Sequence, residues 1–231
     1  MNSFLELTAA DGFKFPAYVA QPAGQAKGAV VVLQEIFGIN THIRAVVAGY
    51  AAQGYLAIAP ATFHRVKPGV DLTYTPADVT LGVDYMAGVA ALPSPGVMQD
   101  VQAAIDYAAH AGTTTGKVGL VGYCWGGLLT WRAACQLSGL SAAVTYYGGG
   151  MTGAGDIALS PKCPVLSHFG QNDPSLPSDS VEAFKRAHPE VETCHYPASH
   201  GFNCDHRSSY NAEAATLARE RTLAFFVKHL S

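Results

Sequence analysis

The stretch VGLVGYCWGGLLT, Val118 to Thr130, sets Cys124 between Gly122 and Gly126 where a run of β-forming residues gives way to a helical pattern. A nucleophile elbow has that form: a strand, a sharp turn that exposes the reactive residue, then a helix. The turn strains its central residue. Side chains two positions to either side would strike neighbouring backbone, so small residues are needed there. Cys124 would then stand at the carboxyl end of a sheet with a helix N-terminus behind it, which favours thiolate. The other reading is a small buried hydrophobe, the usual fate of a free cysteine. The stretch alone leaves both open.

Outward from the elbow, strand and helix patterns alternate. AVVVLQE (29–35) and YLAIAP (55–60) read as buried strands, with a helix between them that Thr41 caps and that runs to about Gln53. VMQDVQAAIDYAAHA (97–111) is helical, KVGLVGYC (117–124) a strand, GGLLTWRAACQL (126–137) a helix and AAVTYYGG (142–149) a strand. PVLSHFG (164–170), SVEAFKRAHP (180–189), ETCHYPA (192–198) and NAEAATLARERTLAFFVKHL (211–230) continue the series. This order predicts an α/β fold with a mostly parallel sheet covered on both faces. The two alternating stretches around Asp11-Gly12, a dipeptide suited to a tight hairpin, predict an antiparallel N-terminal start.

Two segments break the rhythm. Residues 61–96 carry four prolines and are longer than ordinary connections, which predicts a lid over the site. The Gly-rich stretch 148–163 lacks the spacing GxGxxG and a following helix pattern, which argues against a phosphate loop.

At 231 residues the chain suits a single domain, 1–231. Apolar residues make up 49%, but no uninterrupted apolar run reaches the roughly 18 needed to cross a bilayer. The N-terminus lacks the basic and apolar regions of a secretory signal, so neither a membrane nor export is expected. A net charge of −3 with 14 scattered Lys and Arg argues against a nucleic-acid partner. Five cysteines without CxxC spacing suggest neither a disulfide framework nor a four-thiolate zinc site, and fit a reducing cytoplasm. The expected partner is a small molecule, and the expected state a monomer.

If Cys124 is a nucleophile in this fold, an acid and then a histidine should follow it. Asp173, in GQNDPSLP, follows the strand PVLSHFG; His200, in SHGF, follows ETCHYPA. All three residues leave the carboxyl edge of neighbouring strands, where open parallel sheets bind ligands. Asn172-Asp173-Pro174 is also ordinary turn chemistry, and His200 is one of nine histidines. The concurrence of all three in order outweighs those separate readings.

These residues resemble the dienelactone hydrolase family of α/β-hydrolases. QEIFGIN (34–40), KVGLVGYCWGG (117–127), YYG (146–148), the Asp173 loop, His200-Gly201-Phe202 and RTLAFF (221–226) follow the family's motifs in order over essentially the whole chain. The resemblance implies an α/β-hydrolase fold, Cys124 as nucleophile, His200 as base and Asp173 as its orienting group. It also implies that Glu35 contacts the resting thiol, and that the backbone N–H groups of Ile36 and Trp125 form the oxyanion hole. Read without the family, Glu35 has the alternative of a polar residue closing a strand. One departure stands out. Arginines that hold the substrate carboxylate in the family are missing: the position four after His200 is Cys204, and 69–96 contains no Arg. Arg65, Lys67 and Arg207 are the candidate substitutes.

A thiol, with pKa about 8.5, leaves far more readily than an alcohol, so an ordinary ester's tetrahedral adduct would collapse backwards. The chemistry favours enol lactones, aryl esters or thioesters, cleaved through an acyl thioester with neither metal nor organic cofactor. Three other readings stand beside it. One is a broader aryl-ester or thioester hydrolase. Another is a non-catalytic thiol-reactive or ligand-binding protein. The third, a metal module built on Cys194, His195, His200, Cys204 and His206, has poor spacing, since neighbours on a strand point to opposite faces.

Overall fold

The computed structural model describes residues 2–113 and 115–231. Strand β1 (Asn2–Thr8) turns at Gly12, which takes φ 83°, into antiparallel β2 (Lys14–Ala20). There follow β3 (Ala29–Leu33), α1 (Thr41–Ala52), β4 (Leu56–Pro60), α2 (Pro76–Ala90), α3 (Met98–His110), β5 (Val118–Tyr123), α4 (Trp125–Gln136) and β6 (Leu140–Tyr146). A short α5 (Ala154–Ile157), β7 (Val165–Gly170), α6 (Ser178–Ala187), β8 (Glu192–Tyr196) and α7 (Ala212–Leu230) complete the chain.

The eight strands form one sheet in the order β1-β2-β4-β3-β5-β6-β7-β8. β2 runs antiparallel to β1 and β4, and every later pairing is parallel. β3, β4, β5 and β7 are buried at every position, which is why they read as unbroken apolar runs rather than alternating ones. The fold is thus the α/β-hydrolase type with an antiparallel start, as the alternation predicts.

The start of α1 differs by one residue from expectation. Asn40, not Thr41, is the cap: its side chain accepts the Ile43 N–H at 3.1 Å, and Thr41 is already helical. Inside 61–96 stands a helix that periodicity does not announce. α2 buries only Gly82 and Val89 of its fifteen residues, so it shows no one-sided apolar stripe. Its start is nonetheless written in TPAD: Thr75 accepts the Asp78 N–H at 3.2 Å, and Pro76 occupies the first turn. α5 lies within the Gly-rich segment; its Asp156 binds Arg132 of α4 through both carboxylate oxygens.

Candidate active site

β5 and α4 build the elbow. Cys124 takes φ 56° and ψ −120°, a conformation costing a non-glycine residue on the order of 1–3 kcal/mol. The flanking glycines make the turn possible. A Cβ on Gly122 would stand 2.0 Å from the Gly126 carbonyl oxygen, and one on Gly126 would stand 2.4 Å from that of Leu33. The Cys124 N–H donates to the Tyr146 carbonyl at 3.0 Å, tying the turn to the end of β6.

The ends of β7 and β8 supply the partners. Asp173 is buried; its Oδ1 accepts the Ser175 N–H at 2.8 Å, and its Oδ2 lies 2.8 Å from His200 Nδ1. His200 Nε2 in turn lies 3.1 Å from Cys124 Sγ. Burial acts to lower the His200 pKa, but the hydrogen bonds to Asp173 and Cys124 outweigh it and raise the value to about 10. Tyr147 packs its ring edge-on to His200 with centroids 5.2 Å apart. Its backbone, at φ 39°, is the second strained non-glycine position among the described residues.

Ile36 and Trp125 flank Cys124 around a cavity of about 350 Å³, which Val83 and Met86 of α2 cover and Arg207 enters from the side. Among the described residues, neither the Ile36 nor the Trp125 N–H donates to another backbone group outside a helix or strand. Trp125 stacks on Phe63 at 4.7 Å between centroids. A larger groove of about 450 Å³ lies on the far side of Trp125, between residues 89–98 and α4, but it holds neither Cys124 nor His200.

Glu35 is fully buried and departs from expectation. Its hydrogen bonds go to Arg207 Nη1 at 3.1 Å and to the Tyr74 hydroxyl at 3.2 Å, while the thiol is engaged by His200. A guanidinium gives a carboxylate a charge-assisted bond that a neutral thiol cannot match. Of the three basic candidates, Arg207 alone enters the cavity. Arg65 instead bridges Asp11 and buried Asp100, because an ionised carboxylate at 1% exposure needs a counter-charge. Lys67 lines a separate groove with Gly69 and Asp71. Tyr123 is core, hydrogen-bonded to Tyr50 at 3.2 Å. Arg207 could have been preferred from sequence only by seeing that Gly201 makes room for it: a Cβ there would fall 2.5 Å from Nη1.

An open, mostly parallel sheet with a strained thiol at a strand-to-helix elbow, and histidine and aspartate on the next strand ends, defines an α/β-hydrolase that cleaves carboxylic esters. Residues 15–230 match the model of the Dienelactone hydrolase family, and the chain belongs to that family. It is 36% identical over 219 residues to the "Carboxymethylenebutenolidase" of Pseudomonas putida, covering 93% of this chain and 92% of that one. It is 35% identical over 236 residues to the "Putative carboxymethylenebutenolidase" of Escherichia coli K12, covering 94% and 84%. The crystal structure of a "Putative Dienelactone Hydrolase" from Klebsiella pneumoniae superposes with TM-score 0.82 at 32% identity, covering 98% of this chain and 99% of that one. The chain is therefore a hydrolase of lactones or esters. Among the described residues, no helix is long and apolar enough to cross a membrane.

Proposed function

We propose that the protein hydrolyses enol lactones or similarly activated esters through a Cys124–His200–Asp173 triad and an acyl-thioester intermediate. The observation that supports this most is His200 bridging Sγ and Asp173 at 3.1 and 2.8 Å, within reach for proton transfer. In this reading His200 Nε2 takes the Cys124 proton as the thiol attacks.

Sγ attacks the acyl carbon, forming the C–S bond as the carbonyl pair moves onto oxygen. The oxyanion is stabilised by the N–H groups of Ile36 and Trp125. Its collapse breaks the acyl C–O bond, and His200 Nε2 gives its proton to the departing oxygen, which in a lactone stays tethered as an enol. His200 then takes a proton from water as that water attacks the thioester, and the thiolate leaves. The net reaction consumes one water and needs no redox partner.

Arg207 is the proposed anchor for a substrate carboxylate, replacing the family's arginines. When such a carboxylate takes Arg207, Glu35 loses its strongest partner and becomes free to turn towards the thiol, the role the family assigns to it. Residues 61–96, with α2, act as the lid of a single domain. We place the enzyme in the cytoplasm as a monomer.

The test is turnover of a carboxylated dienelactone, followed by loss of its conjugated absorbance, with wild type, Cys124→Ala and Arg207→Gln. Fast hydrolysis, lost by on the order of 10⁴-fold or more in Cys124→Ala and weakened mainly through KM in Arg207→Gln, is expected. Failure on the lactone, with Cys124-dependent cleavage of an aryl ester, would move the substrate and keep the nucleophile. Equal activity of Cys124→Ala would end the triad assignment.

A further inference from the structure

Three residues from separate parts of the fold meet beside the catalytic cavity: Glu35 after β3, His42 in the first turn of α1 and Cys204 after His200. A carboxylate oxygen, a ring nitrogen and Sγ all lie within 4.8 Å of one another, and all three residues are buried. Of the cysteines and histidines in CHYPASHGFNCDH, Cys204 alone belongs to this group; its partners come from other elements.

His42 carries the second observation. Its Nδ1 lies 3.3 Å from Asp205 Oδ1, on the outer side, which leaves Nε2 as the ring nitrogen with a lone pair to offer. Nε2 is buried in a residue only 4% exposed, and it has no hydrogen-bond partner among the described residues. An orphaned buried acceptor is costly, on the order of 1–3 kcal/mol, and calls for an occupant that accepts its lone pair. A carboxylate on the far nitrogen of such a histidine is the arrangement that orients zinc-bound imidazoles.

We propose that Glu35, His42 and Cys204 form a binding site for one zinc ion, separate from the catalytic Cys124–His200 pair. Oxygen, imidazole nitrogen and thiolate together suit zinc, whereas magnesium and calcium prefer oxygen alone. Zinc bonds of about 2.0–2.3 Å place tetrahedral donors roughly 3.3–3.8 Å apart. Donors within 4.8 Å reach that spacing by side-chain shifts of about an ångström. The carboxylate and the Cys204 thiolate neutralise the ion; the thiol proton leaves to solvent as the Zn–S bond forms. Water completes the tetrahedron.

Arg207 is the obstacle, since its charge opposes a cation. A carboxylate offers about four acceptor directions, however, so Glu35 can keep Nη1 on one oxygen while the other takes the ion in place of the Tyr74 hydroxyl. The proposed turnover does not use the ion. A filled site would share Glu35 with Arg207 and so change the charge that faces the substrate cavity.

The experiment uses Cys124→Ala chain, which removes the catalytic thiol as a competing ligand. It is loaded with zinc chloride, dialysed and analysed for metal by elemental mass spectrometry. Close to one zinc per chain is expected, with most of it lost when Cys204→Ser or His42→Gln is added. Cobalt(II) loading should give thiolate-to-metal absorption in Cys124→Ala that Cys204→Ser abolishes, with circular dichroism checking that each variant is folded. Zinc absent from Cys124→Ala, or retained undiminished by folded Cys204→Ser and His42→Gln chains, would overturn the site. If either double variant does not fold, the other one decides.

Discussion

The β5–α4 elbow and helix α2 face each other across one cavity, and both depend on a glycine that meets backbone. On the floor, Gly126 lies against the carbonyl oxygens of Leu33 and Gln34, 2.4 and 2.5 Å from where a Cβ would sit. On the roof, Gly82 meets the Ile36 carbonyl at 2.3 Å. The surroundings differ. Gly126 is held between two central strands and a helix whose inner residues are all in the core, whereas α2 leaves Val79, Leu81 and Val83 about two-fifths exposed. A clash on the floor has nowhere to go; a clash on the roof can lift a helix. Strain can therefore be stored at Cys124, where packing over-determines the backbone, and adjustability is confined to α2.

The largest expected effect is at the floor. Gly126→Ala should cost about 3 kcal/mol of stability, because overpacking against fixed backbone cannot relax. A denaturant midpoint measured with an unchanged slope reads this directly. Gly82→Ala should cost under about 1 kcal/mol yet raise KM several-fold and lower kcat, since the helix that lifts away borders the Ile36 amide. Equal losses of stability in the two variants would erase the distinction between floor and roof.

Next is the roof's own anchor. Thr75→Ala removes the α2 cap and should weaken the helix by about 1 kcal/mol. Because α2 buries so little, hydrogen exchange should speed up in 76–90 while the exchange of β5 stays as it was. Faster exchange in β5 as well would mean that roof and floor unfold together.

The same division governs what the sequence discloses. The strands are legible because a strand buried on both faces is an unbroken apolar run, as in AVVVL and VGLVGY. Cys124 and Asp173 are legible because each closely follows such a run, and His200 because it follows the last strand pattern, ETCHY, so chain order already puts all three on one edge. α2 is hidden because its apolar residues face a cavity and solvent rather than a core, which leaves no stripe; only the TPAD cap marks it. Arg65 looks as free as Arg207 on paper, since its partners Asp11 and Asp100 lie 54 and 35 residues away. Glu35's resting partners are concealed likewise, Arg207 being 172 residues distant. Long-range pairing of charges is a property of the packed fold, and no local period encodes it.

Dependence on pH separates floor from roof by sign. His200 on the floor has its pKa raised to about 10 in the folded chain, burial opposing and the bonds to Asp173 and Cys124 prevailing; unfolded, it titrates near 6.5. The folded state holds that proton more tightly, so its stabilisation is complete below about pH 6.5 and is lost as pH rises towards 10. On the roof, the pKa of Asp78 is lowered, first by the Thr73 hydroxyl and then by Thr75. Its contribution is present above the ordinary carboxylate value of 3.8 and lost as pH falls below it. His200→Gln should therefore lower the melting temperature most near pH 6 and hardly at all near pH 10. Asp78→Asn should instead show its deficit at neutral pH and lose it in acid. A His200→Gln deficit that stayed constant from pH 6 to 10 would mean that the variant's loss comes from packing, and that the proton shared between Asp173 and Cys124 contributes nothing to holding the floor.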